Sequence, residues 1–219
     1  VNESVNYPDK YFKNNVGSLE NIIYEIQKLK KPMNFIFSSS CTVYGQADSM
    51  PINECFELKK AESPYGQSKR KCEEILENFH KTGHNFKNIT LRYFNPIGAH
   101  PTSLIGELPI GIPENLVPYI TQTAVGKRDH LTVFGDDYDT NDGTCVRDYI
   151  HIMDLAEAHC AGLDFLFKNK PQFINLNVGT GIGTSVLDLI NKFMEVNNCK
   201  IPYKYSKKRL GDLPFVVAD

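Results

Sequence analysis

After Pro8, apolar residues recur at helical spacing at Tyr11, Phe12, Val16, Leu19, Ile22, Ile23, Ile26 and Leu29, and Pro32 stops the pattern. This predicts a long helix over about residues 9 to 30. Asn34 to Phe37 reads as a short buried strand, and the serine triplet Ser38, Ser39 and Ser40 ends its apolar run. Ser63 to about Lys81 reads as a second helix with Pro64 near its start, where the missing N–H costs nothing. Asn88 to Phe94 is another strand, broken by Asn95 and Pro96. Buried strands alternating with helices are the mark of a doubly wound parallel sheet, where ligands sit beyond the carboxyl ends of the strands. Ser38 to Ser40 and Asn95 lie at such ends.

From about His100 the texture changes to loops rich in proline and glycine, with Pro101, Gly106, Pro109, Gly111 and Pro113 preceding a helix from Asn115 to Val125. Leu131 to Phe134 and Asp148 to Ile152 read as short strands, and Asp154 to Phe167 and Ser185 to Asn197 as helices, with Asp154 placed as an N-cap. The predicted class is α/β, a doubly wound parallel sheet with a second, smaller α/β lobe that begins at about residue 100. Gly179-Thr180-Gly181-Ile182-Gly183-Thr184 follows the strand Phe173 to Asn177 and superficially resembles a dinucleotide fingerprint. Its last glycine position is Thr184, and no acidic residue ends a strand about 20 residues on, so a strand-to-helix turn capped by Thr184 or Ser185 is the better reading.

Composition narrows the partners. The 41% hydrophobic and 23% charged content is that of an ordinary globular protein, and a net charge of -2 provides no attraction for nucleic acid or an anionic membrane. The six cysteines are scattered, with no spacing suited to a metal site or redox motif, and read as reduced thiols of a cytoplasmic protein. No apolar run approaches the length of a membrane span and no signal peptide opens the chain, so the sequons at Asn2 and Asn88 read as incidental.

Candidate chemistry centres on Ser63-Pro64-Tyr65-Gly66-Gln67-Ser68-Lys69. Residues four apart share a helix face, so the Tyr65 phenol and Lys69 ammonium can point into one pocket. A charge roughly 4 to 5 Å from the phenol, at an effective dielectric of about 20, favours phenolate by about 3 to 4 kcal/mol. That shift of two to three pKa units would make Tyr65 a base usable near neutrality.

The runs Phe35 to Gly45, Ser63 to Lys69 and Leu91 to Pro101 together closely resemble the sugar-nucleotide 4-epimerases of the extended short-chain dehydrogenase/reductase family. The likeness continues through Gly111 to Leu116, Phe134 to Tyr138, Asp142 to His151 and Arg209 to Pro214, and so covers essentially the whole chain. The resemblance implies an enzyme that keeps NAD bound and interconverts UDP-galactose and UDP-glucose through a 4-keto sugar, working as a cytoplasmic homodimer. It also implies a partial Rossmann-type doubly wound parallel sheet with a smaller α/β substrate-binding lobe: residues 1–99 would carry the sheet and the catalytic groups, and 100–219 mainly the lobe, with about 145–180 returning to the first domain. Tyr65 matches the base, Lys69 the residue that holds the nicotinamide ribose and lowers the tyrosine pKa, and Ser40 the hydroxyl that relays or steadies the proton. Ser38 and Ser39 read as strand-end hydrogen bonders. Asn14 and Phe94 match NAD contacts, with a small length difference from the family near Gly17.

By the same matching, Asn95 is a sugar-nucleotide contact, and Asn115 and Leu116 open a helix whose N–H groups suit a diphosphate. Thr132, Val133 and Phe134 match the uracil-binding strand, Arg147 and Arg209 a diphosphate clamp, and Asp212 a ribose acceptor. Val216 matches the position that gates the sugar 2-substituent, and its intermediate size implies some activity on UDP-N-acetylhexosamines. A 4,6-dehydratase would need an acid–base carboxyl pair after the hydroxyl residue, where this chain has Cys41 and Thr42. Members of the family place roughly 80 to 90 residues ahead of Val1, two to three βα units that include the glycine loop, and a shorter tail after Asp219. A non-catalytic sugar-nucleotide-binding fragment is therefore the alternative expectation.

Overall fold

The computed structural model describes residues 2–29, 31–170, 172–209 and 211–219. Lys30, the expected end of the first helix, and Leu210, within the Arg209 to Pro214 match, lie outside them. The elements in chain order are α1 (Asn2–Asn6), α2 (Pro8–Tyr11), a π-helical turn (Phe12–Gly17), α3 (Ser18–Leu29), β1 (Met33–Ser40), a 3-10 turn (Cys41–Tyr44), α4 (Pro64–Lys81), β2 (Phe86–Tyr93) and β3 (Asn95–Ile97). There follow α5 (Leu116–Ala124), β4 (Leu131–Phe134), β5 (Val146–His151), α6 (Ile152–Lys168), β6 (Phe173–Val178), β7 (Gly183–Ser185), α7 (Val186–Asn197), β8 (Tyr203–Ser206) and β9 (Phe215–Val216).

These elements form two compact units, one running up to Tyr93 and resuming at Asp154–Val178, the other comprising Phe94–Met153 and Gly179–Asp219. The first unit holds a parallel sheet in the order β1-β2-β6. Side chains alternate across it, so Met33, Phe35, Phe37 and Phe86 meet Leu19 and Ile23 of α3 and Cys72, Leu76 and Phe79 of α4 on one face. On the other face Gly162 of α6 comes close to Ile36 and Ile89. A parallel sheet covered on both faces is the doubly wound arrangement expected.

Three local expectations are corrected. The first helix is interrupted by the π turn, whose wider register lets the adjacent Asn15 and Val16 both meet α4: the Asn15 amide donates to Ser68 Oγ at 2.9 Å, and Val16 joins the core. Strand β1 does not stop at Phe37 but continues through the serines to Ser40, because β2 supplies a partner for each, up to Tyr93 opposite Ser40. Asp154 is not an N-cap. Helix α6 begins two residues earlier at Ile152, and His151 Nδ1 accepts from the Met153 N–H at 3.2 Å.

In the second unit β5 pairs with β3 and β9 in parallel and with β7 antiparallel. The parallel pair β4 and β8 packs its inner side chains, Leu131 and Val133, against Ile120 of α5, Ile190 of α7 and Ile201. Among the described residues no helix is long and apolar enough to cross a membrane, and no cluster of His, Cys, Asp or Glu could hold a metal ion.

Candidate functional site

The start of α4 is fixed by Ser63, whose side chain accepts from the Gly66 N–H at 3.1 Å, and by Pro64 in the first turn. Gly66 is required by close approach: a Cβ there would lie 2.9 Å from the Thr42 carbonyl oxygen and 3.1 Å from Ala61 Cβ. The bare backbone lets the helix come down on the turn that follows β1, bringing the Tyr65 phenol to the Ser40 hydroxyl. Tyr65 is steadied from behind by its N–H, which donates to Ser4 Oγ at 3.1 Å, and by the Tyr11 ring, edge-on at 6.1 Å.

Ser40 is oriented by Thr42, a residue sequence reasoning passed over. Its Oγ accepts from the Thr42 N–H at 3.3 Å and from Thr42 Oγ1 at 3.1 Å. A hydroxyl has two acceptor sites and one proton. With both acceptor sites engaged, the proton of Ser40 is left to donate to the Tyr65 oxygen, the direction that favours phenolate. The signal available in the sequence was the Ser-x-Thr spacing at a strand end, a pattern that favours local side-chain caps.

Lys69 lies one turn further on, and here the structure departs from expectation. Its Nζ donates to the Ser38 carbonyl at 2.9 Å and lies 5.7 Å from the Tyr65 ring centroid and 5.2 Å from that of Phe37. The ammonium is anchored to strand β1 instead of facing the phenol oxygen, and burial holds its pKa below the usual lysine value. Burial likewise pushes Tyr65 above the ordinary tyrosine pKa, and this outweighs the donation from Ser40. The expected lowering of Tyr65 by Lys69 is therefore not found in the chain as described. Ser38 and Ser39 are both hydrogen bonded: Tyr93 donates to Ser38 Oγ at 2.7 Å, and Ser39 donates to Glu73 Oε1 at 2.5 Å. Asn14 is exposed on the π turn beside the inward-facing Asn15.

The second unit gathers another set. Arg147 on β5 donates twice from Nη1, to the carbonyls of Val146 and Leu213, both at 2.8 Å. Asp212 lies between the two arginines, with Oδ2 accepting from Arg209 Nε at 2.7 Å and Oδ1 3.9 Å from Arg147 Nη2. The Arg209 guanidinium is 5.0 Å from the Phe134 ring centroid. Along β4 the side chains alternate: Val133 is buried in the core, whereas Thr132 is part-exposed and Phe134 exposed. Val216 on β9 is part-exposed and pairs with Arg147. Asn95 on β3 is the partner of Tyr149, whose phenol burial pushes up to about 12. Asn115 precedes α5 without capping it, its amide donating to Glu107 at 2.8 Å, so the N–H groups from Leu116 onward receive no side-chain cap. Phe94 is buried.

The glycine-rich loop at 179–184 is not an anion cradle. Asp148, fully buried on β5, accepts from the Thr180 N–H at 2.7 Å, Thr180 Oγ1 at 2.8 Å and the Gly181 N–H at 2.9 Å. The donors that would face pyrophosphate already hold a carboxylate. Ser185, as anticipated, caps α7 by accepting from the Asp188 N–H at 2.9 Å.

The NAD dependent epimerase/dehydratase family matches residues 1–179. The UDP-glucose 4-epimerase of Pasteurella multocida is 49% identical, covering 100% of this chain and 64% of its own length. That of Bacillus subtilis is 46% identical with the same coverage. The crystal structure of UDP-glucose-4-epimerase from Stenotrophomonas maltophila with bound NAD and formylated UDP-arabinopyranose superposes with a TM-score of 0.95 at 44% identity, over 100% of this chain and 64% of that one. The Bifidobacterium longum enzyme in complex with NAD+ and UDP gives 0.93 at 43%, over 99% and 64%. The chain thus spans about 64% of the length of the relatives it matches, and with the family's pattern running through 179 consecutive residues it belongs to the NAD dependent epimerase/dehydratase family.

Proposed function

We propose that this chain supplies the acid–base groups and nucleotide contacts of an NAD-dependent epimerase that interconverts UDP-galactose and UDP-glucose by inverting C4. The observation that carries the reading is the polarity of the Ser40 hydroxyl. Thr42 fills both its acceptor sites, so Ser40 donates its hydrogen bond to the Tyr65 oxygen, and a tyrosinate held in that way can take the proton of a substrate hydroxyl and, as the phenol, return it.

The residues present fit NAD. An ammonium has three donors, and Lys69 gives one to Ser38, leaving two for ribose hydroxyls. Asn14, Ser40, Tyr65 and Phe94 are the further contacts the family match supports. Bound NAD would supply the hydride acceptor as NAD+ and the hydride donor as NADH, and the positive ring charge of NAD+ would favour the tyrosinate. Tyr65 then holds and releases the C4 hydroxyl proton, Ser40 steadies its oxygen, and Lys69 orients the ribose.

The second unit supplies the nucleotide contacts. Arg209 and Arg147 retain unspent guanidinium N–H groups for a diphosphate, and the start of α5 offers uncapped backbone N–H groups to the same anion. Phe134, with Thr132 and the main chain of Val133, takes the uracil; Asp212 accepts from the ribose, and Asn95 contacts the sugar nucleotide. Val216 leaves room for a 2-acetamido group, so we include UDP-N-acetylhexosamines among the substrates. The domain reading follows: residues 1–99 serve NAD and catalysis, and 100–219 mainly the substrate, with about 145–180 belonging with the first. The likeness also supports a cytoplasmic homodimer.

The test is to incubate protein purified from its natural source with NAD and UDP-galactose and follow the sugar H1 resonances by NMR. Conversion to UDP-glucose is expected, falling about 10²-fold or more in Tyr65→Phe. A protein that holds NAD yet leaves C4 unchanged would overturn the reading, and undetectable turnover of UDP-GlcNAc beside robust turnover of UDP-galactose would remove the Val216 assignment.

A further inference from the structure

Beneath the acid–base pair lies a buried polar network that touches neither Tyr65 nor Lys69. Ser39, Arg92 and Asn177 are partners in register on β1, β2 and β6, so their side chains leave one face of the sheet at one level. Helix α4 covers that face and contributes Glu73, which follows Tyr65 and Lys69 at four-residue steps on the same side of the helix. Glu73 forms a fork with Arg92, Oε1 accepting from Nε at 3.1 Å and Oε2 from Nη2 at 2.8 Å, and Oε1 also accepts from Ser39. Arg92 Nη1 donates to the Tyr44 hydroxyl at 2.8 Å, and Tyr44 donates to Asn177 Oδ1 at 2.8 Å. The Asn177 amide then donates to the Ile52 carbonyl at 2.7 Å, while Glu54 accepts from the Asn177 N–H at 2.8 Å.

Arg92 and Glu73 are only 2% and 4% exposed. Two charges taken that far out of water gain little over a well-packed apolar pair, so stability does not account for them. Direction does. Apolar contacts between α4 and the sheet tolerate sliding and rotation, whereas a bidentate fork fixes both. The network also ends on the neighbours of every reacting group: Ser39 precedes Ser40, Tyr44 closes the turn that holds Thr42, and Glu73 is one helical turn beyond Lys69. Over eight residues, about 12 Å of rigid helix, fixing Glu73 fixes Tyr65.

We propose that Glu73 and Arg92 are positioning residues that set the approach of Tyr65 to Ser40. The kinetic part rests on the epimerase reading above; the structural part does not. The test replaces the pair with apolar residues, Glu73→Met with Arg92→Leu, in the protein as isolated from its natural source. Two quantities are then read: steady-state kinetics with UDP-galactose, and the ¹³Cζ NMR signal of Tyr65, assigned by its loss in Tyr65→Phe. The double variant is expected to fold, to keep KM within about twofold and to lose kcat by about tenfold or more, as small misplacements of reacting groups do. The Tyr65 signal should move or split while that of Tyr119, in the other unit, stays. A folded double variant with the parental Tyr65 signal overturns the proposal whether or not the protein is an epimerase. An inactive parent whose variant shows the shifted signal would instead remove the catalytic reading alone. Should the double variant not fold, Ser39→Ala and Tyr44→Phe each delete one link. A shifted Tyr65 signal in either supports the proposal, and parental signals in both overturn it.

Discussion

Asp148 provides a direct measure of what holds the glycine-rich loop. Its buried carboxylate accepts three backbone N–H groups, from Thr180, Gly181 and, at 3.2 Å, Ala218, together with the Thr180 hydroxyl. In Asp148→Ala all three N–H groups lose their acceptor, each worth about 1 to 3 kcal/mol when orphaned in the interior. The vacated space is polar enough to admit a water that recovers part of this, leaving a loss of about 3 to 5 kcal/mol. Asp148→Asn should be milder. Its amide can turn its NH2 toward Thr180, whose hydroxyl rotates to accept, so that one N–H is orphaned at a cost of about 1 to 3 kcal/mol. Urea unfolding followed by circular dichroism gives both values, with Asp164→Asn on the exposed side of α6 as a control expected within about 0.5 kcal/mol of the parent. If Asp148→Ala lost less than about 1 kcal/mol, the carboxylate would not be what organises the loop. The N–H groups of 180 and 181 would then be open to an anion after all.

Gly179→Ala should destabilise by about 2 kcal/mol, because the added Cβ collides with the Asp148 carboxylate and lies 2.9 Å from Ala218 Cβ. The same substitution made on Asp148→Ala should cost measurably less, and strict additivity would count against the contact. Alkaline pH should unfold the protein early. Burial raises Tyr44, Tyr65 and Tyr93 and pushes Tyr149 up to about 12, so between the unfolded value near 10 and the folded values the native state binds more protons than the unfolded chain. The contribution of these groups is therefore fully present below about pH 10 and falls as pH rises, by about 2 kcal/mol for Tyr149 alone by pH 12. Denaturation curves at pH 9, 10 and 11 with superimposable midpoints would contradict this. Thr42→Val frees one acceptor site of Ser40 and, on the proposed epimerase reading, should lower kcat about tenfold, with KM nearly unchanged; an unaltered kcat would show that Ser40 needs no orienting partner.

What the sequence determined was local. Pro64 at the start of α4, the four-residue step from Tyr65 to Lys69 and the boundaries of β4 all follow from neighbours within a helical turn or a strand, and the structure has them as read; of the two caps read for α7, Thr184 or Ser185, it has Ser185. The tertiary structure decided whatever depends on register between distant segments. Strand β1 reaches Ser40 because β2 is there to pair with it, and no composition rule makes three serines a strand. Lys69 turns to the Ser38 carbonyl, 31 positions away, so its effect on Tyr65 could not be read from the helix spacing. The strands β3, β7 and β9 carry too few residues for a periodic signal, β8 is exposed along its whole length with no buried face, and all four exist through their partners. The Tyr44 to Asn177 bond joins residues 133 positions apart, which meet only because three strands align at one level. Side-chain periodicity records which face is apolar; it carries no record of which buried polar group will meet which, since that is settled by the packing of whole elements.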